Sequence, residues 1–148
     1  PKVDRVRAQS GRDIEAEVAL AVDAWRKAWV SDDLDTYIDG YDPSAKVTRI
    51  NIINSGTIDK QTVAPSTLRE RMARLMRQYD RTEVLVRGFR VVREGSRMVA
   101  TFHQEFSAFA QPRDHKPIYA DKGVKTLIFE EKGGRWVIVE ENWVPLQR

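Results

Sequence analysis

Cysteine is absent from the 148 residues, which excludes disulfides, thiolate metal sites and a cysteine nucleophile. Histidine occurs only at His103 and His115. A metal site generally needs three or four converging ligands. His103 and Glu105 share a strand face and supply two, and no third partner is identifiable, so neither a metal nor a cofactor is expected. There is no glycine-rich phosphate loop and no G-x-S-x-G turn. No apolar run approaches the ~20 residues of a membrane-spanning helix, so no membrane insertion is expected. A secretory signal is not visible either. Charge of one sign is scarce: 25 basic residues against 22 acidic leave a net charge of +3, without clustering. A nucleic-acid face needs clustered positive charge, so none is expected.

What is present is a chain of one domain's length, with a mean hydropathy of −0.53. Such a chain buries roughly 68–70% of its unfolded surface and forms a core without staples. It is organised around Val124–Val144, two β-rich runs flanking Gly133-Gly134. Paired glycines permit the positive φ angles of a tight hairpin turn. With that turn, strict alternation opposes Phe129 to Ile138, Leu127 to Glu140 and Lys125 to Asn142. One face then carries Lys125, Leu127, Phe129, Trp136, Ile138, Glu140 and Asn142. The other carries Thr126, Ile128, Val137, Val139, Glu141 and Trp143. Both faces are largely apolar, so both need cover.

Residues 1–12 lack an apolar period and read as a linker or lead-in to a single domain over 13–148. The chain opens on Pro1, and the expectation is a domain of a longer protein or a processed form, an extracytoplasmic location being slightly favoured over a cytoplasmic one. Asp13 caps a helix whose stripe is Ile14, Val18, Ala21, Val22, Trp25 and Trp29. A second, short helix places Leu34, Tyr37, Ile38 and Tyr41 on one face before Asp42-Pro43 stops it. Residues 46–54 and 57–63 form an edge hairpin, and Pro65 opens a third helix with the stripe Leu68, Met72, Leu75, Met76 and Tyr79. Strands follow at 82–93, 98–110, 117–131 and 135–144 as an antiparallel meander. Helices segregated from strands make the fold α+β.

Trp25 and Trp29 either pack on the sheet or line a ligand cavity, and Tyr37 and Tyr41 carry hydroxyls that need partners if buried. Gln104 is the single amide in the apolar row Met98, Ala100, Phe102, Gln104, Phe106, Ala108. It needs a tyrosine hydroxyl, Lys125 or a ligand. Lys125, Glu140 and Asn142 on one hairpin face form either a structural ion-pair cluster or a site for a small polar ligand. Proton-transfer chemistry requires an isolated acid with a raised pKa, and neither Glu140 nor Glu141 is singled out by spacing.

The opening A-W-R-K-A-W-V-S-D-D-L-D-T-Y-I-D-G-Y-D at 24–42 resembles that of nuclear transport factor 2-like domains. F-H-Q-E-F-S at 102–107 and K-T-L-I-F-E-E-K-G-G-R-W-V-I-V-E-E-N-W at 125–143 resemble their final strands. The chain is most similar to the bacterial branch found behind L,D-transpeptidase-like murein enzymes or helical repeats. The resemblance implies a cone-shaped curved antiparallel sheet with three helices in its concavity, a pocket, and a homodimer through the open sheet face. It matches Trp29, Tyr37, Gln104, Lys125 and Glu141 to the branch pattern. Strict alternation puts Glu141 on the face opposite Lys125, and the two readings conflict there. The expected function is a non-catalytic accessory, small-ligand-binding or dimerisation domain of a cell-envelope protein. An isomerase, dehydratase or cyclase like the SnoaL-type cyclases and ketosteroid isomerases is the alternative. Pocket candidates are Trp25, Trp29, Tyr37, Tyr41, Gln104, Phe106, Lys125, Glu140 and Asn142.

Overall fold

The computed structural model describes residues 12–52, 56 and 58–146. The elements are α1 (Ile14–Val30), α2 (Leu34–Asp39), β1 (Tyr41–Ile52), β2 (Ile58–Val63), α3 (Pro65–Gln78), β3 (Arg81–Glu94), β4 (Arg97–Phe109), β5 (Tyr119–Lys132) and β6 (Arg135–Pro145). Among the described residues the architecture is α+β: a six-stranded curved open sheet in the order β2-β1-β6-β5-β4-β3, with three helices. Neighbouring strands from β3 to β6 are antiparallel, as the meander reading expects. The β1–β6 pair is parallel, which corrects the expectation of a wholly antiparallel sheet. The reason is the order of elements: β1 precedes the helix and meander that return the chain to its side. Of the expected lead-in over residues 1–12, only Arg12 lies among the described residues.

Asp13 caps α1 by accepting from the Ala16 amide at 3.0 Å. The buried stripe of α1 is Val18, Val22, Trp25, Ala28 and Trp29, which packs on Ala100, Phe102, Phe106, Leu127 and Phe129 of the sheet. Burial of this kind contributes about 25 cal/mol per Å² of apolar surface. Tyr41 does not continue α2: Gly40 ends the helix and Tyr41 opens β1, pairing with Ile138. Six residues form too short a helix to persist on propensity, so the sheet edge captures the next residue.

The hairpin register changes partway along. Lys132 opposes Arg135 and Phe129 opposes Ile138, as alternation requires. Beyond that point Ile128 opposes Glu140, so Val139 is an extra, unpaired residue on β6. A bulge of one residue inverts the facing of everything after it. Leu127 therefore opposes Glu141, and Lys125 opposes Trp143. The expected pairs Leu127–Glu140 and Lys125–Asn142 are corrected accordingly. Three successive buried residues, Val137, Ile138 and Val139, mark the bulge. Beside it, the β1–β6 pairing also shifts register between Tyr41 and Lys46, where Pro43 sits without a ladder to disturb.

Candidate functional site

The bulge brings Glu141 and Trp143 to the concave side with Lys125. Lys125 Nζ donates to Glu141 Oε2 at 2.7 Å, and the two side chains are 6% and 5% exposed. The second carboxylate oxygen, Oε1, accepts from the Tyr41 hydroxyl. Tyr41 in turn accepts from Trp25 Nε1 at 2.9 Å, and its oxygen lies 3.3 Å from that of Tyr37. Burial, and then the Glu141 charge, push both phenols well above their ordinary value, so both remain protonated.

Three indoles surround the Lys125 ammonium. Nζ lies 5.0 Å from the ring centroid of Trp143, 5.5 Å from Trp25 and 5.9 Å from Trp29. Desolvated cation–aromatic contacts contribute about 2 kcal/mol or more. They offset part of the cost of removing the ammonium from water, and Glu141 offsets more. The Trp143 wall depends on Gly123: a Cβ there would lie 2.8 Å from Trp143 Cη2 and 2.3 Å from the Val144 carbonyl oxygen.

Above this network is a cavity of about 330 Å³ between the sheet and α3. Trp29, Tyr37, Gln104, Phe106 and Lys125 line it, together with Glu141 and Trp143. Trp29 and Phe106 stack at 5.2 Å. Leu68, Met72 and Leu75 of α3 form the apolar wall, and Arg49, Arg71 and Asp121 stand at the more exposed rim. At that rim Tyr119 donates to Asp121 at 2.8 Å, and burial followed by that bond pushes the Tyr119 phenol up to about 12.

Two candidates, Trp25 and Tyr41, are not among the residues lining the cavity: Tyr41 donates to Glu141, and Trp25 donates to Tyr41. Glu140 and Asn142 stand on the opposite sheet face. Glu140 accepts from Arg97 at 3.4 Å, and Asn142 pairs with Thr126 and Thr48. Reading them as one cluster with Lys125 fails because it assumed unbroken alternation. Trp143 was missed for the same reason. The available signal was chemical: alternation would have buried Lys125 beside Asn142 and put Trp143 on the outer face.

Glu141 is the one carboxylate classed as buried among the described residues, and both its oxygens are engaged. Three buried polar atoms among the described residues have no partner: Gln104 Oε1 and Trp29 Nε1, on residues only 2% and 7% exposed that line the cavity, and Thr82 Oγ1, which lies away from it. No group of three or more His, Asp or Glu residues placed to hold a metal occurs among the described residues.

No family profile matches the sequence, and no curated protein matches it. Solved structures do match. Bd1075 of Bdellovibrio bacteriovorus superposes with a TM-score of 0.69 at 20% identity over 90% of this chain, which spans only 41% of that protein. A candidate dehydratase of the NTF2-like family from Streptomyces avermitilis gives 0.67 at 16% identity, over 90% of this chain and 96% of that one. The beta subunit of a candidate aromatic-ring-hydroxylating dioxygenase from Novosphingobium aromaticivorans gives 0.72 at 14% identity, over 95% and 92%. The fold is thus that of the nuclear transport factor 2-like proteins, as the resemblance implied. At these identities the likeness is one of fold, and fold does not carry chemistry.

Proposed function

We propose that this chain, a single domain over 13–148, is a non-catalytic domain that binds a small ligand in the cavity above Lys125 and Glu141. The observation that carries the reading is the state of Glu141. An acid–base catalyst needs a carboxylate free to take a proton from substrate. Here one oxygen is held by an ammonium and the other by a phenol, so the carboxylate acts as the fixed centre of a polar floor. The apolar walls and the exposed rim suit a ligand that enters with its apolar part buried. Tryptophan fluorescence and calorimetry against a small-molecule panel test this. Saturable binding with the ligand recovered unchanged is expected; turnover that disappears in Glu141→Gln would sink the reading.

A second reading, an isomerase, dehydratase or cyclase, is favoured by one observation. The Lys125–Glu141–Tyr41 array adjoins an open cavity, and one structural neighbour is a candidate dehydratase. The same turnover assay decides between the two.

Association through the outer sheet face is part of the proposal. Leu85 and Val92 are 46% and 55% exposed on that side, and structural neighbours include a subunit of a larger assembly. Sedimentation should give a homodimer at micromolar concentration, and Leu85→Glu with Val92→Glu should give a monomer. Attachment to a cell-envelope protein is also proposed; that this chain spans only 41% of the Bdellovibrio protein fits a place within a longer chain and does not bear on the compartment. No helix among the described residues is long and apolar enough to cross a membrane.

A further inference from the structure

We infer that the ligand of this cavity presents a neutral carboxamide, or an equivalent N-acyl group, to its floor. The inference rests on the ligand-binding reading and names the chemistry of what is bound. It starts from an inventory of the polar atoms that the fold buries around the cavity.

Most are mutually satisfied. Lys125, Glu141, Tyr41 and Trp25 form one connected set. Two cavity-lining residues stand outside it. Gln104 Oε1 is an acceptor with no donor, and Trp29 Nε1 is a donor with no acceptor. Both atoms are buried, on adjoining elements, and both side chains line the same cavity. A buried group without a partner forfeits its hydration, so two such groups beside an open cavity mark where a ligand's polar atoms belong. One requires a donor and the other an acceptor. A carboxamide supplies an N–H and a C=O on one rigid plane.

Charge narrows the class further. The Lys125–Glu141 pair is internally neutral. A carboxylate at the floor would meet Glu141 with no cation left to answer it, and an ammonium would meet Lys125 and its indole cage. Either charge would be buried uncompensated. The inner end of the ligand is therefore polar but uncharged. Its middle lies against Phe106, Trp29 and Met72. Charge is tolerated only at the outer end, where Arg49, Arg71 and Asp121 are in contact with solvent.

Four probes that share a benzene ring, toluene, benzamide, its isostere benzoate, and benzylamine, test this on the whole chain, with dissociation constants from tryptophan fluorescence and calorimetry. Benzamide is expected to bind at least about tenfold more tightly than the other three, the order set by leaving buried donors and acceptors unpaired. In Gln104→Leu, which keeps the side-chain volume and removes both polar atoms, the benzamide preference should fall to about threefold or less while toluene binding is retained. Trp29→Phe should lower the preference similarly. Circular dichroism and a thermal melt of each variant separate lost preference from lost fold. If the variant does not fold, the four-probe series on the unaltered chain still decides. Benzoate or benzylamine binding as tightly as benzamide would overturn the inference. So would a preference unchanged in a folded Gln104→Leu. In both cases a binding cavity survives. Failure of all four probes, together with the wider panel, would instead remove the ligand-binding reading beneath it.

Discussion

The two ends of β6 differ by a single residue in register and by everything in chemistry. At the hairpin end, Ile138 opposes Phe129, both buried in the apolar core. Beyond the bulge at Val139, Glu141 and Trp143 oppose Leu127 and Lys125 beneath an open cavity. The flanking tryptophans differ in the same way. Trp136 donates to the solvent-facing Glu17 at 3.0 Å, while Trp25 donates into a buried network. The comparison teaches that this site is made by a backbone irregularity. The residue types on the strand are not enough; their facing decides what they do.

The strongest way to break the comparison is Glu141→Leu, expected to cost about 3–5 kcal/mol in denaturant unfolding by stranding Lys125. The double variant Lys125→Met with Glu141→Leu should recover most of that loss. If the single variant is as stable as the double, the pair is not buried as described.

Gly123→Ala sharpens the comparison more gently. Its methyl group meets the Val144 carbonyl and Trp143, and overpacking of this kind costs about 1–3 kcal/mol. Trp143 should shift, with a change in emission, while hairpin-end contacts remain. Unaltered stability would mean that the strand relaxes freely there.

The smallest contrast is in pH. At the hairpin end, hydrogen bonds from Arg12 and then Trp136 hold the Glu17 carboxyl down at about 2 against an ordinary 4.5. That contribution is present above pH 4.5 and is lost as pH falls toward 2; Glu17→Gln should flatten it. At the cavity end, Tyr37 and Tyr41 are raised above 10 by burial and the Glu141 charge. Their contribution is present below pH 10 and is lost as pH rises beyond it. Phenolate absorbance from this pair should appear only with unfolding. A reversible rise without loss of circular dichroism would contradict their burial.

The sequence revealed the elements well because periodicity and caps are local. The stripe from Val18 to Trp29, the capping Asp13 and the Gly133-Gly134 turn all stand in short windows. Tyr41 was misassigned because a helix stop competes with a strand start only once the sheet exists. The bulge was not legible, since alternation is an assumption about pairing and the extra residue is defined by its partner strand. The resemblance matches both Lys125 and Glu141 to the branch pattern, and in the structure the two side chains meet. The unpartnered atoms on Gln104 and Trp29 were beyond reach, because lack of a partner is a property of three-dimensional packing.

The sheet order has a consequence for how the molecule is made. β6 lies between β1 and β5 yet is translated after both. Until it leaves the ribosome, the β1–β2 hairpin and the β3–β5 meander are two separate rafts with no ladder between them. Tyr41 waits for its carboxylate 100 positions downstream. A nascent chain stalled before Arg135 should expose both raft edges to chaperones, and the final strand should close them in one late, cooperative step.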